Sequence, residues 1–128
     1  MAGVTGNHRG TPDISMSAAV DGAAWTYESY DPTRVGWHLT GGTSEATPIF
    51  SGIVALADQL AGHRLGQLNP RLYALAALPP QWSGITDVTE GDNSWDAVTG
   101  YKAVKGYDLA SGLGTVDANR FVHSLAGR

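Results

Sequence analysis

The clearest pattern in the chain is a change of period at Gly41. Beyond it, Ala46, Ile49, Phe50, Ile53, Val54, Ala57 and Leu60 recur at three- and four-residue spacing, which gathers side chains on one face of an α-helix. Thr43 supplies an N-cap and Gly62 a stop, so a helix is predicted over about 43–61. Few charges lie between Ser44 and Leu60, and a helix so apolar is expected to be covered on more than one side. Upstream, Ala24–Tyr30 and Val35–Thr40 are rich in aromatic and β-branched residues and flank Asp31-Pro32-Thr33-Arg34. That is turn chemistry between two strands, a β-hairpin. Ile14–Ala18 alternates and predicts a further short strand, whereas residues 1–12 carry Gly, Asn, Thr and Pro without periodicity.

Downstream, Asn69-Pro70 opens a short helix through Leu72, Tyr73, Leu75 and Ala76 that Pro79-Pro80 closes. A last helix is predicted over Val116–Leu125. Between them, residues 85–114 are rich in Gly, Asp and Asn and weak in periodicity. Such a stretch is too long for an ordinary connection and is expected to be functional or held by a ligand.

Composition adds mainly exclusions. The 128 residues, 42% of them hydrophobic, suit one domain with one core. The eight Lys and Arg are scattered and the net charge is −4, so there is no electrostatic footprint for nucleic acid or an anionic membrane. No apolar run approaches a membrane span, and the first residues hold no export signal. The chain has no cysteine, which removes disulfides and thiolate metal sites without deciding the compartment.

Candidate chemistry centres on Gly41-Gly42-Thr43-Ser44-Glu45-Ala46-Thr47-Pro48. Two glycines permit unusual backbone angles and close approach of a substrate, and they lead a serine into a helix start. The first amides of a helix have no intrahelical acceptor, so they can face an oxyanion there. Ser and Thr at such positions also serve simply as caps. Asp87 and Asp108, on irregular Gly-rich backbone, offer carboxylates and carbonyls of the kind calcium takes, or alternatively Asp turns.

The octet resembles the nucleophile segment of the subtilisin and sedolisin clan. Gly10-Thr11-Pro12-Asp13-Ile14-Ser15, Gly36-Trp37, Leu68-Asn69-Pro70-Arg71-Leu72-Tyr73 and Gly106-Tyr107-Asp108-Leu109-Ala110-Ser111-Gly112-Leu113-Gly114 are similar to sedolisins and follow that family's order over nearly the whole chain. The resemblance implies the C-terminal portion of a serine-carboxyl peptidase catalytic domain. Its fold would be α/β, part of a subtilisin-like, doubly wound, mostly parallel sheet with flanking helices. The activity implied is that of a secreted, acid-acting endopeptidase on peptide or protein substrates, with Ser44 as the nucleophile. It also implies bound calcium, with Asp87 and Asp108 as carboxylate ligands and Val88, Val104 and Gly106 giving main-chain carbonyls. Val104 stands where the family often has glycine.

The same resemblance makes an absence informative. Sedolisins supply a Glu and an Asp four residues apart, and a further Asp for the oxyanion, from N-terminal sequence. No Glu-x-x-x-Asp pair occurs here. The expected partner is therefore the missing N-terminal part of the catalytic domain. Two alternatives stay open: a non-catalytic, calcium-stabilised pseudo-peptidase or interaction module, and a subtilisin-type fragment. His8 and His38 precede Ser44, and His63 and His123 follow it, all four read as structural or surface residues, while Asp13 reads as a structural Asp that can also line a substrate subsite.

Overall fold

The computed structural model describes residues 2–19 and 21–128. It divides into two compact units, one holding the chain up to Ser15 and from Ile53 onward, the other spanning Met16–Gly52.

The Met16–Gly52 unit is built on the hairpin. Strands β1 (Ala24–Glu28) and β2 (Gly36–Thr40) pair antiparallel. Trp25 lies opposite Leu39 and Tyr27 opposite Trp37, so the two-residue period puts these four side chains on one face. All four are exposed, and the Tyr27 and Trp37 rings meet edge to face at 5.4 Å. On the other face the Thr26 and Thr40 hydroxyls lie 2.6 Å apart. The connection is a hydrogen-bonded β-turn in which the Arg34 N–H donates to the Asp31 carbonyl at 2.9 Å.

Helix α2 (Thr43–Ala61) starts in this unit and continues into the other. Thr43 is already helical, so Gly42 takes the cap position that the sequence assigned to Thr43. Burial is also lighter than its composition suggested. Ile53 and Ala57 are buried, while Ile49, Leu56 and Leu60 are 40%, 55% and 36% exposed. Ile53 and Ala57 are one helical turn apart on the buried side of the helix, with Ala46, Phe50 and Val54 half-buried beside them.

The remaining unit packs α3 (Asn69–Leu75), α4 (Pro80–Ser83) and α5 (Ala118–Ala126) with strands β3 (Ile85–Thr86) and β4 (Thr115–Val116). A four-residue helix, α1 (Ala2–Thr5), lies at its start. In α5, Phe121 and Leu125 stand one turn apart and are almost wholly buried, alongside Leu72 of α3 and Ile85 of β3. Asp117 caps α5 by accepting from the Arg120 N–H, and Gly127 ends it in the left-handed region.

One expectation about strands is corrected. Ile14–Ala18 is not a strand: the Leu113 N–H donates to the Asp13 carbonyl and the Ser15 N–H to the Gly114 carbonyl, and the pairing ends there. The mostly parallel sheet is not found among the described residues. Both sheets are two-stranded and antiparallel, because a short turn joins β1 to β2 and an irregular loop returns β4 against β3, whereas a parallel pair needs a crossover that runs back past the first strand.

Candidate functional site

Ser44 is the second residue of α2 and is exposed. Gly42 before it adopts φ 79°, a conformation that favours glycine. Its N–H donates to the Ala18 carbonyl at 2.6 Å, which ties down the head of the helix, and its own carbonyl accepts from the Glu45 N–H at 2.9 Å. The amides of Thr43 and Ser44 therefore stand ahead of the first helical acceptor, beside the serine hydroxyl. Pro48 has no N–H to give to the Ser44 carbonyl four residues back, which frees a polar group at the same place. Ser44 Oγ forms no hydrogen bond to a base among the described residues.

Sequence reasoning passed over Glu45. Its side chain is 5% exposed, and Oε2 has no hydrogen-bond partner among the described residues. The first-turn amides favour negative charge at this position, which offsets part of the cost of burial. Three of the four histidines are engaged locally: His38, His63 and His123 each meet a backbone carbonyl, of Arg34, Ala61 and Asn119 respectively.

The loop bearing the calcium candidates lies in the other unit. Asp108 is 3% exposed. Its Oδ2 accepts from the Val104 N–H at 2.9 Å, and its Oδ1 accepts from the Ala110 N–H at 2.9 Å, the Ser111 N–H at 2.7 Å and the Ser111 hydroxyl at 3.1 Å. Burial alone would push this carboxyl up, but the Val104, Ser111 and Ala110 amides and the Ser111 hydroxyl together hold it below the usual carboxylate range. Asp87 Oδ2 accepts from the Gly106 N–H at 2.7 Å, and Gly106 takes φ 85°, so its neighbourhood depends on glycine.

The loop thus brings Asp87, Gly106, Val104 and Asp108 into one hydrogen-bonded segment, and Val88 follows Asp87 directly. Asp87 Oδ1 is buried without a hydrogen-bond partner. An orphaned carboxylate oxygen is costly unless something positive meets it; Asp87 Oδ1 is the carboxylate oxygen of this set left open to a hard cation, since Asp87 Oδ2 and both Asp108 oxygens already accept from N–H or O–H donors. No group of three or more His, Cys, Asp or Glu side chains among the described residues could hold a metal, so most ligands of such an ion would be main-chain carbonyls. The turn alternative is also realised at Asp108, whose bonds to Ala110 and Ser111 close a local turn.

Asp13 connects the N-terminal segment to α3. It accepts from the Tyr73 hydroxyl at 2.5 Å, Asn69 Nδ2 at 2.9 Å and Arg9 at 2.5 Å. Burial raises its pKa, but the Tyr73, Arg9 and Asn69 bonds outweigh that and leave it below normal, while burial and Asp13 push Tyr73 up to about 12. A depressed carboxylate contributes stability that is complete above its unfolded pKa and is lost as pH falls through the folded one. Asp13→Asn should therefore lower stability at neutral pH by about 1.5–3 kcal/mol and reduce the loss of stability on acidification below about pH 4. Urea melts at several pH values will measure both, and parallel curves for the two proteins would count against a stabilising role.

No family model matches the chain. Kumamolisin of Bacillus sp. (strain MN-32) is 35% identical over 121 residues, which cover 94% of this chain and 20% of the relative. Sedolisin of Pseudomonas sp. (strain 101) is 33% identical over 113 residues, covering 88% and 18%. Xanthomonalisin of Xanthomonas sp. (strain T-22) is 33% identical over 109 residues, covering 85% and 12%. A solved structure, Pseudomonas sedolisin (serine-carboxyl proteinase) complexed with two molecules of pseudo-iodotyrostatin, superposes with a TM-score of 0.78 at 28% identity, covering 99% of this chain and 33% of that one. The architecture is that of an α/β peptidase fold. Within that class the chain belongs to the sedolisin family, and it spans no more than about a fifth of the length of these curated relatives.

Proposed function

We propose that this chain is the nucleophile-bearing portion of a secreted serine-carboxyl endopeptidase that cleaves peptides or proteins in acid. The observation that carries the reading is Ser44 exposed at the head of α2, one residue beyond Gly41-Gly42-Thr43 and beside amides that have no helical acceptor. Ser44 Oγ attacks the peptide carbonyl, the carbonyl oxygen takes up charge next to those amides, and loss of the amine leaves an acyl-enzyme that water hydrolyses. The proton of the hydroxyl must pass to a base, and here that role falls to carboxylates of an N-terminal part of the catalytic domain. The same part would complete a doubly wound, mostly parallel sheet. Asp87 and Asp108, with the carbonyls of Val88, Val104 and Gly106, would hold calcium, which supplies charge compensation to the loop.

The alternative, a calcium-stabilised module without catalysis, draws on one observation: Ser44 Oγ meets no base among the described residues. Assay of this chain alone, and again with an N-terminal sedolisin segment bearing the Glu and Asp restored in frame, separates the two. The first should show no peptide cleavage and the second cleavage at acidic pH. A restored, folded protein that stays inactive would favour the module.

A further inference from the structure

We infer that the Asp31–Pro32 peptide bond is a self-cleavage site, opened in acid by the Asp31 carboxylate within the folded hairpin turn. It is the one Asp-Pro step in the chain, and the turn assembles three requirements of such a reaction around it.

The nucleophile is the Asp31 side chain. Its Oδ1 accepts from the Thr33 N–H at 2.8 Å and the Thr33 hydroxyl at 2.7 Å, which folds the carboxylate forward over its own peptide unit. Both bonds fall on Oδ1, so Oδ2 carries none among the described residues. Those bonds from the Thr33 hydroxyl and amide also lower the pKa of Asp31, so the ionised, nucleophilic form persists further into acid. The electrophile is the Asp31 carbonyl, whose oxygen already accepts the Arg34 N–H at 2.9 Å. That amide is placed to receive the negative charge that grows on the oxygen when its carbon is attacked. The leaving group is the prolyl nitrogen, a tertiary amide nitrogen that is more basic than an ordinary peptide nitrogen and departs as a secondary amine once protonated. Pro32, Thr33 and Arg34 are exposed, so acid and water reach the bond.

Each step balances. An Asp31 Oδ atom bonds to the Asp31 carbonyl carbon and closes a five-membered ring. The C–N bond to Pro32 breaks, a solvent proton goes to the prolyl nitrogen, and a cyclic anhydride remains. Water then opens the anhydride, leaving Asp31 as a new C-terminus and Pro32 as a new N-terminus. Holding nucleophile and carbonyl in one geometry is the source of the rate advantage over a flexible peptide. The nick falls between β1 and β2, upstream of Ser44, so the five paired positions of the hairpin would continue to hold the two pieces together without the turn.

The test is incubation of the purified protein and of its Ser44→Ala variant at about pH 3.5 and at neutral pH, followed by intact-mass measurement and N-terminal sequencing. Fragments 1–31 and 32–128, summing to the parent mass plus one water, should accumulate in acid equally in both proteins. That equality separates the reaction from cleavage by Ser44, so it stands or falls apart from the peptidase reading. Cleavage should be at least about tenfold faster than in a peptide of residues 28–36. It should fall at least about tenfold in Pro32→Ala, and likewise in Asp31→Asn, which keeps an acceptor for Thr33. An intact 31–32 bond in acid, a rate equal to that of the peptide, or undiminished cleavage in Asp31→Asn would overturn the inference.

Discussion

Exchanging Ser44 for alanine in the catalytically complete protein should reduce kcat/KM for peptide cleavage by about 10⁴–10⁶-fold, the range seen when a serine nucleophile is removed while binding and oxyanion donors remain. Stability should hardly change. The Ser44 hydroxyl is exposed and forms no hydrogen bond among the described residues, and the head of α2 is tied down by Gly42 and Ala18 instead. A surface change of this kind is worth no more than about 0.5 kcal/mol. Measuring turnover and urea melts on the same preparations distinguishes loss of a nucleophile from loss of fold. Retention of more than a few per cent of activity by a folded Ser44→Ala protein would mean that another group attacks the substrate.

Asp108→Ala should be the most damaging single change to stability, at about 3–5 kcal/mol. It removes the acceptor for three backbone amides and one hydroxyl, in a place from which water is largely excluded. Buried donors left without partners account for the size of the effect. Asp108→Asn, which keeps one oxygen, should cost less. The proposed ion adds a second, separable readout. Calcium that binds only the folded state raises stability by mass action, about 2.7 kcal/mol at a hundredfold excess over its dissociation constant. Chelator should therefore lower the melting temperature of the parent protein and leave Asp87→Ala, which lacks the orphaned Oδ1, unaffected. Identical parent curves with and without chelator would remove calcium from the account while leaving the hydrogen-bonded role of Asp108 in place.

Both variants act at positions already conspicuous in the sequence, for different reasons. Ser44 stood out as a candidate because the chemistry around it is local: two glycines, Thr43, the serine and a helix start follow one another, and each exerts its effect on its immediate neighbours. Asp87 and Asp108 stood out only as acidic positions in an irregular stretch, with a resemblance to suggest what they hold. Their division of labour was not legible. Asp108 turns its carboxylate inward onto four donors, while Asp87 receives Gly106 from nineteen positions away and keeps one oxygen unmatched.

Local patterns determined the hairpin, α2, α3 and α5, because periodicity and turn chemistry act over a few residues. Where α2 buries its apolar side chains is a tertiary matter. Its sequence offers apolar residues on much of its circumference, yet Ile53 and Ala57 are buried while Ile49, Leu56 and Leu60 stay exposed, since burial depends on what lies opposite and not on the residue itself. Ile14–Ala18 alternates like a strand and makes only two backbone bonds, because a strand needs a partner that continues beside it. Asn69 and Tyr73 read as helix residues, with nothing local to announce their hydrogen bonds to Asp13; those arise from folding that brings residues more than fifty positions apart within reach, and neither spacing nor composition carries that information.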